Sequence, residues 1–276
     1  MMQHYATITT ANYLGKLLAL YDSMTQHCKP FTLYVLVFDI VSHDVLEKLD
    51  LPEVRVLPLR TILTPELEAA AERQYPHQFI WTCKGPFLLH LLQELEEPRI
   101  AYIDADQFFF SSPDLIFVEI GANSIGMTQH HFSPTYAHCA CNGKYNGGFL
   151  YLRRNKFVME TLLPEWIDLC IQGAEGPLTD QLTLSRWPDR FAHRIGVHTI
   201  KHRGMNVGPW NQGGYTMNMR NGWLYAANYP VVTYHFHGGA DDVGQFLEPI
   251  APILVTHGYE PYRAALMDAS IKLAVL

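Results

Sequence analysis

Apolar positions recur along this chain with two periods, and their alternation sets the fold class. Residues 5–10 (Tyr-Ala-Thr-Ile-Thr-Thr) read as a strand, because Thr and Ile suit a half-buried pleated surface. Between residues 12 and 27, Tyr13, Leu14, Leu17, Leu18, Leu20, Tyr21 and Met24 fall at helical spacing. Residues 31–38 form a continuous apolar run, the pattern of a parallel central strand buried on both faces. Residues 43–50 predict a helix and Val54 to Leu59 a third strand. The opening therefore reads β-α-β-α-β, the signature of an open α/β sheet covered by helices on both faces.

Residues 64–74 and 84–97 predict helices, and 100–104 a short strand that ends in an acid. Strands are expected at Ile125 to Thr128 and Gly148 to Leu152, and helices at 156–171 and 178–186. Residues 200–240 are rich in Gly, Asn, Trp and His and carry few long periodic elements. Such a stretch inside a compact domain is usually functional or mobile. One more helix is expected from Tyr262 to Leu273. No repeat or linker interrupts the pattern, so residues 1–276 are read as one domain, with 245–276 as a C-terminal helical extension.

Composition narrows the function classes. A chain of 276 residues that is 48% hydrophobic can bury a substantial core. Charged residues make up 17%, below the usual share of about a quarter, which argues against long disorder. The net charge of -7 and the lack of any Lys/Arg block do not indicate a nucleic-acid partner. A small anionic substrate stays compatible, because a pocket can be locally positive in an acidic protein. The N-terminus lacks a basic n-region. The richest apolar run, Phe31 to Val41, is broken by Asp39 and is too short to span a bilayer. A cytoplasmic protein without a transmembrane segment is expected. Five scattered cysteines fit reduced thiols better than a disulfide framework. Cys139 and Cys141 beside His138 suggest either a soft-metal site or a small-residue loop with free thiols. The lack of a second Cys/His pair at zinc-like spacing favours the thiols.

The strongest chemical feature is Ala101-Tyr-Ile-Asp104-Ala-Asp106. Hard divalent cations take oxygen ligands, and Mg²⁺ or Mn²⁺ commonly binds one or two carboxylates plus substrate phosphates. On a regular strand, residues i and i+2 point the same way, so both acids can reach one ion. A pair of exposed turn acids is the plain alternative. The position at the end of an apolar strand favours a site, since ligands of such sheets gather beyond the carboxyl ends of strands. His235 lies in Val232-Thr-Tyr-His-Phe-His237-Gly-Gly, where alternation predicts a strand running into a Gly-rich turn, with His235 and His237 on one side. Imidazole suits Mn²⁺ better than Mg²⁺. An isolated histidine of this kind is otherwise a structural one.

Four segments together resemble the retaining GT-A glycosyltransferases of the glycogenin and bacterial lipopolysaccharide galactosyltransferase type, family 8. Thr7-Ile-Thr-Thr10-Ala-Asn-Tyr13 is similar to the family's uridine-binding strand and loop. Tyr102-Ile-Asp104-Ala-Asp106 resembles its D-x-D motif, Tyr145-Asn146-Gly147-Gly148-Phe149 its sugar-contacting N-x-G segment, and His235-Phe-His-Gly238 its H-x-x-G turn. Each motif is short, and specificity comes from their combination and order across residues 5–240.

The resemblance implies a Rossmann-like mixed central sheet flanked by helices, and transfer of a hexose from a nucleotide diphosphate sugar, a UDP-sugar, with retention. It implies that Asp104, Asp106 and His235 hold Mn²⁺ (or Mg²⁺). Ile8, Thr10 and Tyr13 would meet the nucleoside, with Tyr13 stacking on the base; the other reading of Tyr13 is a core residue at a helix start. Lys84 would reach the donor, or else be a solvated lysine. Ala105, Asn146, Gly147, Gly148 and Gly238 would line the donor, glycine allowing close backbone approach. Asn146-Gly147 is equally a hairpin signal. Asp180 or Gln181 would face the sugar opposite the leaving group, while Thr179-Asp180 is also a helix N-cap signature. The acceptor would be a glycan or a lipid-linked molecule.

One departure matters. The family usually follows H-x-x-G with Lys-Pro-Trp, and here the chain continues Gly239-Ala-Asp-Asp-Val. The diphosphate contact then falls to Lys84, Lys201, Arg203 or backbone amides. The segment Met205 to Asn211 can line an acceptor pocket with Trp210 as a stacking platform, or be a turn around a buried Trp. A sugar nucleotidyltransferase and a non-catalytic nucleotide-sugar-binding protein are the competing functions. The first would normally carry a Gly-rich basic loop after the first strand, which Thr9 to Tyr13 lacks.

Overall fold

A computed structural model describes residues 2–174, 176, 178–237 and 247–276. The β-α-β-α-β opening is present as β1 (Gln3–Thr9), α1 (Leu14–His27), β2 (Phe31–Val37), α2 (Ile40–Leu49) and β3 (Val54–Pro58). A 3₁₀ turn, Ala11–Tyr13, leads into α1. Asp39, the residue that breaks the apolar run, caps α2 by accepting from the Ser42 amide at 2.8 Å. Its other oxygen accepts from the Ala11 amide at 2.9 Å and so fixes the loop after β1.

The helix expected at 64–74 is α3 (Pro65–Arg73), followed by an unforeseen α4 (Pro76–Thr82). Pro76 separates them, because the residue before a proline is pushed into extended backbone, as Tyr75 is. Next come α5 (Lys84–Glu94), β4 (Arg99–Ile103), β5 (Gln107–Phe109) and α6 (Asp114–Ile120). They are followed by β6 (Ile125–Gln129), β7 (Tyr145–Arg153) and α7 (Leu163–Gln172), which a π turn precedes. The helix expected at 178–186 is α8 (Thr179–Leu184), and Pro188 starts a separate α9 (Trp187–Phe191).

Beyond β8 (Val197–Thr199), the stretch expected to be irregular folds into short strands. β9 (Met217–Arg220), β10 (Trp223–Ala226) and β11 (Tyr229–Pro230) form an antiparallel three-stranded sheet. β12 (Thr233–His235) pairs with β5, and α10 (Pro252–Leu254) and α11 (Glu260–Ala274) complete the chain.

The main sheet has the order β3-β2-β1-β4-β7-β6-β8. β3, β2, β1 and β4 run parallel, whereas β7 is antiparallel to both β4 and β6. Alternate residues feed two cores, as the two-residue period requires. Ala6 and Tyr102 face a cluster with Phe87, Leu91 and Trp166 of α5 and α7. Tyr5, Ala101 and Ile103 face Leu17, Leu20 and Met24 of α1 and Ile116 of α6. A third core joins Phe108, Tyr234 and Phe236 to Tyr259 and Tyr262, so α11 is tied to the β5–β12 ribbon. Among the described residues no helix is long and apolar enough to cross a membrane.

The strand order reverses between β1 and β4: the chain first builds outward through β2 and β3, then returns to lay β4 on the other side of β1. Such a switch point opens a crevice at the carboxyl ends of the strands. Both chemically suggestive segments, Thr9 to Tyr13 and Asp104 to Asp106, begin there.

Candidate active site

A cavity of about 720 Å³ lies at this switch point. Every predicted site residue except Gly238 lines it: Ile8, Thr10, Tyr13, Lys84, Asp104, Ala105, Asp106, Asn146, Gly147, Gly148, Asp180, Gln181 and His235. Gly238, with the departing segment from Gly239 to Val243, lies outside the described residues. His77, Ile80 and Trp81 of α4 form a wall that the periodic pattern did not reveal, because α4 is too short to register as a helix of its own.

The acid pair is brought together differently from the strand expectation. β4 ends at Ile103, and Asp104 to Gln107 form a tight turn in which the Gln107 amide donates to the Asp104 carbonyl at 3.2 Å. The turn, not strand alternation, aims both carboxylates into the cavity. It feeds β5, whose pairing Gln107↔His235, Phe108↔Tyr234, Phe109↔Thr233 delivers the histidine. His235 Nε2 then stands 2.9 Å from Asp106 Oδ1 and 3.9 Å from Asp104 Oδ2. One ligand atom from each of Asp104, Asp106 and His235 lies within 4.8 Å of the others, the only such His/Cys/Asp/Glu group among the described residues. His237 does not share the strand. β12 stops at His235, and His237 is exposed at the cavity edge.

Burial and charge set the protonation of this group. Burial opposes a charge on Asp106, yet the His235 ring beside it holds the carboxyl below the usual range. Burial likewise opposes the imidazolium of His235, and Asp106 more than offsets that, raising its pKa. Two carboxylates and an imidazole make a hard-oxygen and nitrogen donor set that suits Mn²⁺ or Mg²⁺. Cys139 and Cys141 join no metal-binding group among the described residues, and Cys28, Cys83, Cys139 and Cys141 are free thiols.

Lys84 is not a solvated lysine. Its side chain is 5% exposed, and its Nζ lies 3.3 Å from Asp104 Oδ1, 3.5 Å from Asp180 Oδ2 and 3.2 Å from the Gly147 carbonyl. Burial alone would lower its pKa, but the two carboxylates raise it, so the ammonium is secure. Asp180 has only a share of that cation, and burial pushes its carboxyl up. Both residues of the expected N-cap pair, Thr179 and Asp180, lie inside α8, whose N-cap is Leu178; Asp180 faces Lys84, and the Thr179 hydroxyl donates to the Gly176 carbonyl at 2.6 Å. Neither residue is the N-cap. Gln181 Nε2 donates to the Asn142 carbonyl at 2.8 Å, tying α8 to the 3₁₀ segment Pro134–Asn142 that borders the cavity.

Asn146, Gly147 and Gly148 lie at the start of β7 and are no hairpin turn. Asn146 Oδ1 accepts from the Gly148 amide at 2.8 Å. The Gly148 carbonyl accepts from the Asp104 amide at 3.1 Å and from Gln107 Nε2 at 2.5 Å, locking β7 to the acid turn. Tyr13 is 40% exposed, so it is not a core residue; Lys16 Nζ sits 4.1 Å from its ring centroid. Trp210 is 8% exposed, with its ring edge-on to His235 at 5.2 Å. It is thus a nearly buried wall of the cavity. Lys201 and Arg203 do not line the cavity, which leaves Lys84 as its only Lys or Arg among the described residues. Asn206, expected only as part of a segment lining an acceptor pocket, is instead fully buried behind His235 and accepts at Oδ1 from His235 Nδ1, the two atoms lying 3.2 Å apart.

No protein-family profile matches the chain. The uncharacterized protein YfnD of Bacillus subtilis (strain 168) is 30% identical to it over 244 residues, covering 85% of this chain and 77% of YfnD. The chain belongs to the same family as YfnD. YfnF of the same organism is 26% identical over 252 residues, covering 86% of this chain and 82% of YfnF. Among solved structures, the galactosyltransferase LgtC in complex with donor and acceptor sugar analogs superposes with a TM-score of 0.62 at 14% identity, covering 96% of both chains. Mouse xyloside xylosyltransferase 1 gives 0.54 at 15% identity over 86% of this chain and 98% of that one. The apo form of the glycosyltransferase GlyE of Streptococcus pneumoniae TIGR4 gives 0.57 at 15% identity, covering 99% of this chain and 62% of GlyE. This member of the YfnD family has the fold of these solved glycosyltransferases, the GT-A fold that its motifs led us to expect.

Proposed function

We propose that this chain is a metal-dependent glycosyltransferase. It moves a hexose from a nucleotide diphosphate sugar, a UDP-sugar, to a glycan or lipid-linked acceptor, with retention at the anomeric carbon. The observation that carries this reading is the convergence of Asp104, Asp106 and His235 within 4.8 Å at a switch-point cavity. Glycosyltransferases of the same fold support it. A divalent ion, Mn²⁺ or Mg²⁺, held by these three residues would neutralise charge on the departing diphosphate.

The chain's own residues supply the rest. Tyr13, with Ile8 and Thr10, offers a half-exposed ring and a short wall for the base. Among the described residues Lys84 is the side-chain cation available to the diphosphate, and it also keeps Asp104 and Asp180 in place. Gly147 and Gly148 let the sugar approach the β7 backbone. Asp180 and Gln181 border the sugar position. Gln181 has its amide nitrogen committed to Asn142, which leaves its carbonyl oxygen as an acceptor. The protein would act in the cytoplasm as one GT-A domain with residues 245–276 as a helical extension, the first two of which lie outside the described residues.

A nucleotidyltransferase is less well supported. The loop after β1 is a 3₁₀ turn, Ala11–Tyr13, without the glycines that cradle a triphosphate. A thermal-shift screen of nucleotide sugars with and without Mn²⁺ tests the proposal. A ligand at a hundredfold its Kd should stabilise by about 2.7 kcal/mol. UDP-sugars should stabilise only with metal, and Asp106→Asn should abolish the effect. A shift that persists unchanged in Asp106→Asn removes the metal reading. Anomeric NMR of the first product formed decides retention.

A further inference from the structure

The buried Asn206 stands outside the cavity lining, and its contacts constrain the site from behind. The orientation of its carboxamide follows from one unambiguous donor. The Gly148 backbone N–H can only donate, so the Asn146 atom 2.8 Å from it is the oxygen, Oδ1. The Asn206 atom 3.0 Å from that same oxygen must then donate, and is Nδ2. The second hydrogen of Nδ2 goes to Thr128 Oγ1 at 3.1 Å, which uses up the amide's donors. The remaining atom, Asn206 Oδ1, faces His235 Nδ1 at 3.2 Å and can only accept. His235 Nδ1 therefore carries a proton towards Asn206, and Nε2, which faces Asp106 Oδ1 at 2.9 Å and Asp104 Oδ2 at 3.9 Å, is the nitrogen a metal would take.

The backbone reinforces this. The His235 amide donates to the Val207 carbonyl at 2.7 Å, and the Asn206 amide donates to Thr233 Oγ1 at 3.0 Å. Asn206 takes a left-handed φ of 62°, a conformation that asparagine tolerates better than most residues. The geometry points to Asn206 as a positioning residue that fixes the His235 tautomer and couples the metal-ligating ring to the Asn146–Gly148 segment. It rests on the metal reading of the site. Metal-bound histidines usually donate their other ring N–H to an oxygen partner, and loss of that partner typically weakens metal binding about 10–100-fold.

The experiment is a Mn²⁺ titration by electron paramagnetic resonance of wild type, Asn206→Ala, Asn206→Asp and Thr128→Val. It is joined to a ¹⁵N spectrum of the wild-type histidines in saturating Mg²⁺ and UDP, with His235 assigned from a His235→Gln sample. Asn206→Ala should weaken Mn²⁺ binding about 10–100-fold. Asn206→Asp keeps an acceptor against Nδ1 and should restore most of the affinity. Thr128→Val removes a bond on the far side of the amide and should leave the affinity within about threefold, although it lowers stability as a purely structural change would. In the spectrum His235 Nδ1 should be the protonated nitrogen. A wild-type His235 protonated at Nε2 in the loaded protein overturns the inference even if Asn206→Ala does not fold. Equal Mn²⁺ affinity for wild type and Asn206→Ala overturns it alone. A wild type that binds no Mn²⁺ overturns it together with the metal reading.

Discussion

Gly148→Ala is the substitution the site tolerates least for its size. A β-carbon on Gly148 would stand 2.7 Å from Asn146 Oδ1, 2.7 Å from His235 Cε1 and 2.8 Å from His235 Nδ1. Comfortable carbon contacts start near about 3.5 Å, so three overlaps of roughly 0.7 Å must be relieved. None of these atoms is the loose end of a flexible side chain. The ring is held by Asn206, Asp106 and the edge of Trp210, and Asn146 Oδ1 by two donors. The strand cannot retreat either, since the Gly148 carbonyl is bonded to the Asp104 amide and to Gln107. Overpacking of this kind costs about 1–3 kcal/mol, which lowers Tm by about 2–10 °C in a chain of this length. The larger effect falls on the metal: a ring pushed off Gly148 carries Nε2 away from Asp106, and Mn²⁺ affinity should drop about 10–100-fold. Gly147→Ala is the control. Its β-carbon meets Asp180 Oδ2 at 3.2 Å and Lys84 Nζ at 3.4 Å, the ends of two side chains that can yield a few tenths of an ångström. Its Tm and Mn²⁺ affinity should stay near wild type. Calorimetry and a Mn²⁺ titration read both. A Gly148→Ala protein with wild-type Tm and affinity, or a Gly147→Ala protein more damaged than it, refutes the reasoning.

Three further outcomes follow from the same geometry. Lys84→Met leaves Asp104 and Asp180 without their shared cation and should cost about 3–5 kcal/mol near neutral pH. Because burial raises the Asp180 pKa, that loss should shrink as pH falls through the raised value and Asp180 becomes neutral, so a deficit independent of pH in denaturant unfolding would contradict it. A proton and a metal compete for His235 Nε2, and the pKa of His235 is raised above its ordinary value despite burial. Mn²⁺ affinity should therefore fall by up to about tenfold per pH unit below that raised value, beginning above about 6.5, and an affinity flat down to pH 6 would contradict it. The sign reverses for the metal-free protein: the His235–Asp106 pair stabilises it below the ordinary histidine pKa and is lost as pH rises through the folded one. Finally, Cys139 lines the cavity and Cys141 is exposed, while Cys28, Cys83 and Cys170 are buried. Iodoacetamide followed by mass spectrometry should label only the first two, and UDP with Mn²⁺ should protect Cys139 but not Cys141; equal protection would place the nucleotide elsewhere.

The first sixty residues were legible because their strands and helices are long enough to express a period, and because β1 and β2 pair along seven residues. The site was legible by a different route. Asp104, Asp106 and His235 could be named from motif order, but not from periodicity, since the elements that unite them are β5 and β12, three residues each and more than a hundred residues apart. Strand alternation even selected the right acids for the wrong reason: Asp104 lies past the end of β4, and a turn aims both carboxylates. The expectation failed at the position where the chain leaves regular structure, as is common at sites that need side chains from several elements.

Asn206 marks the limit of sequence reading here. Its neighbourhood, Met205 to Asn211, suggested an acceptor pocket and not a partner for His235, because its meaning lies in a relay of donors and acceptors. That relay starts at a backbone amide in β7 and ends at a ring in β12. Each member is unambiguous only once its neighbour is, so the information exists in the folded arrangement and in no segment of the chain. The same relay explains why a glycine is needed at 148. The amide that anchors Asn146, the space that admits the His235 ring and the carbonyl that pins the acid turn all belong to one residue without a side chain. A site built this way resists piecemeal change: altering Gly148, Asn206 or His235 should perturb the same metal affinity, and their effects should be far from additive, as expected for residues sharing one network.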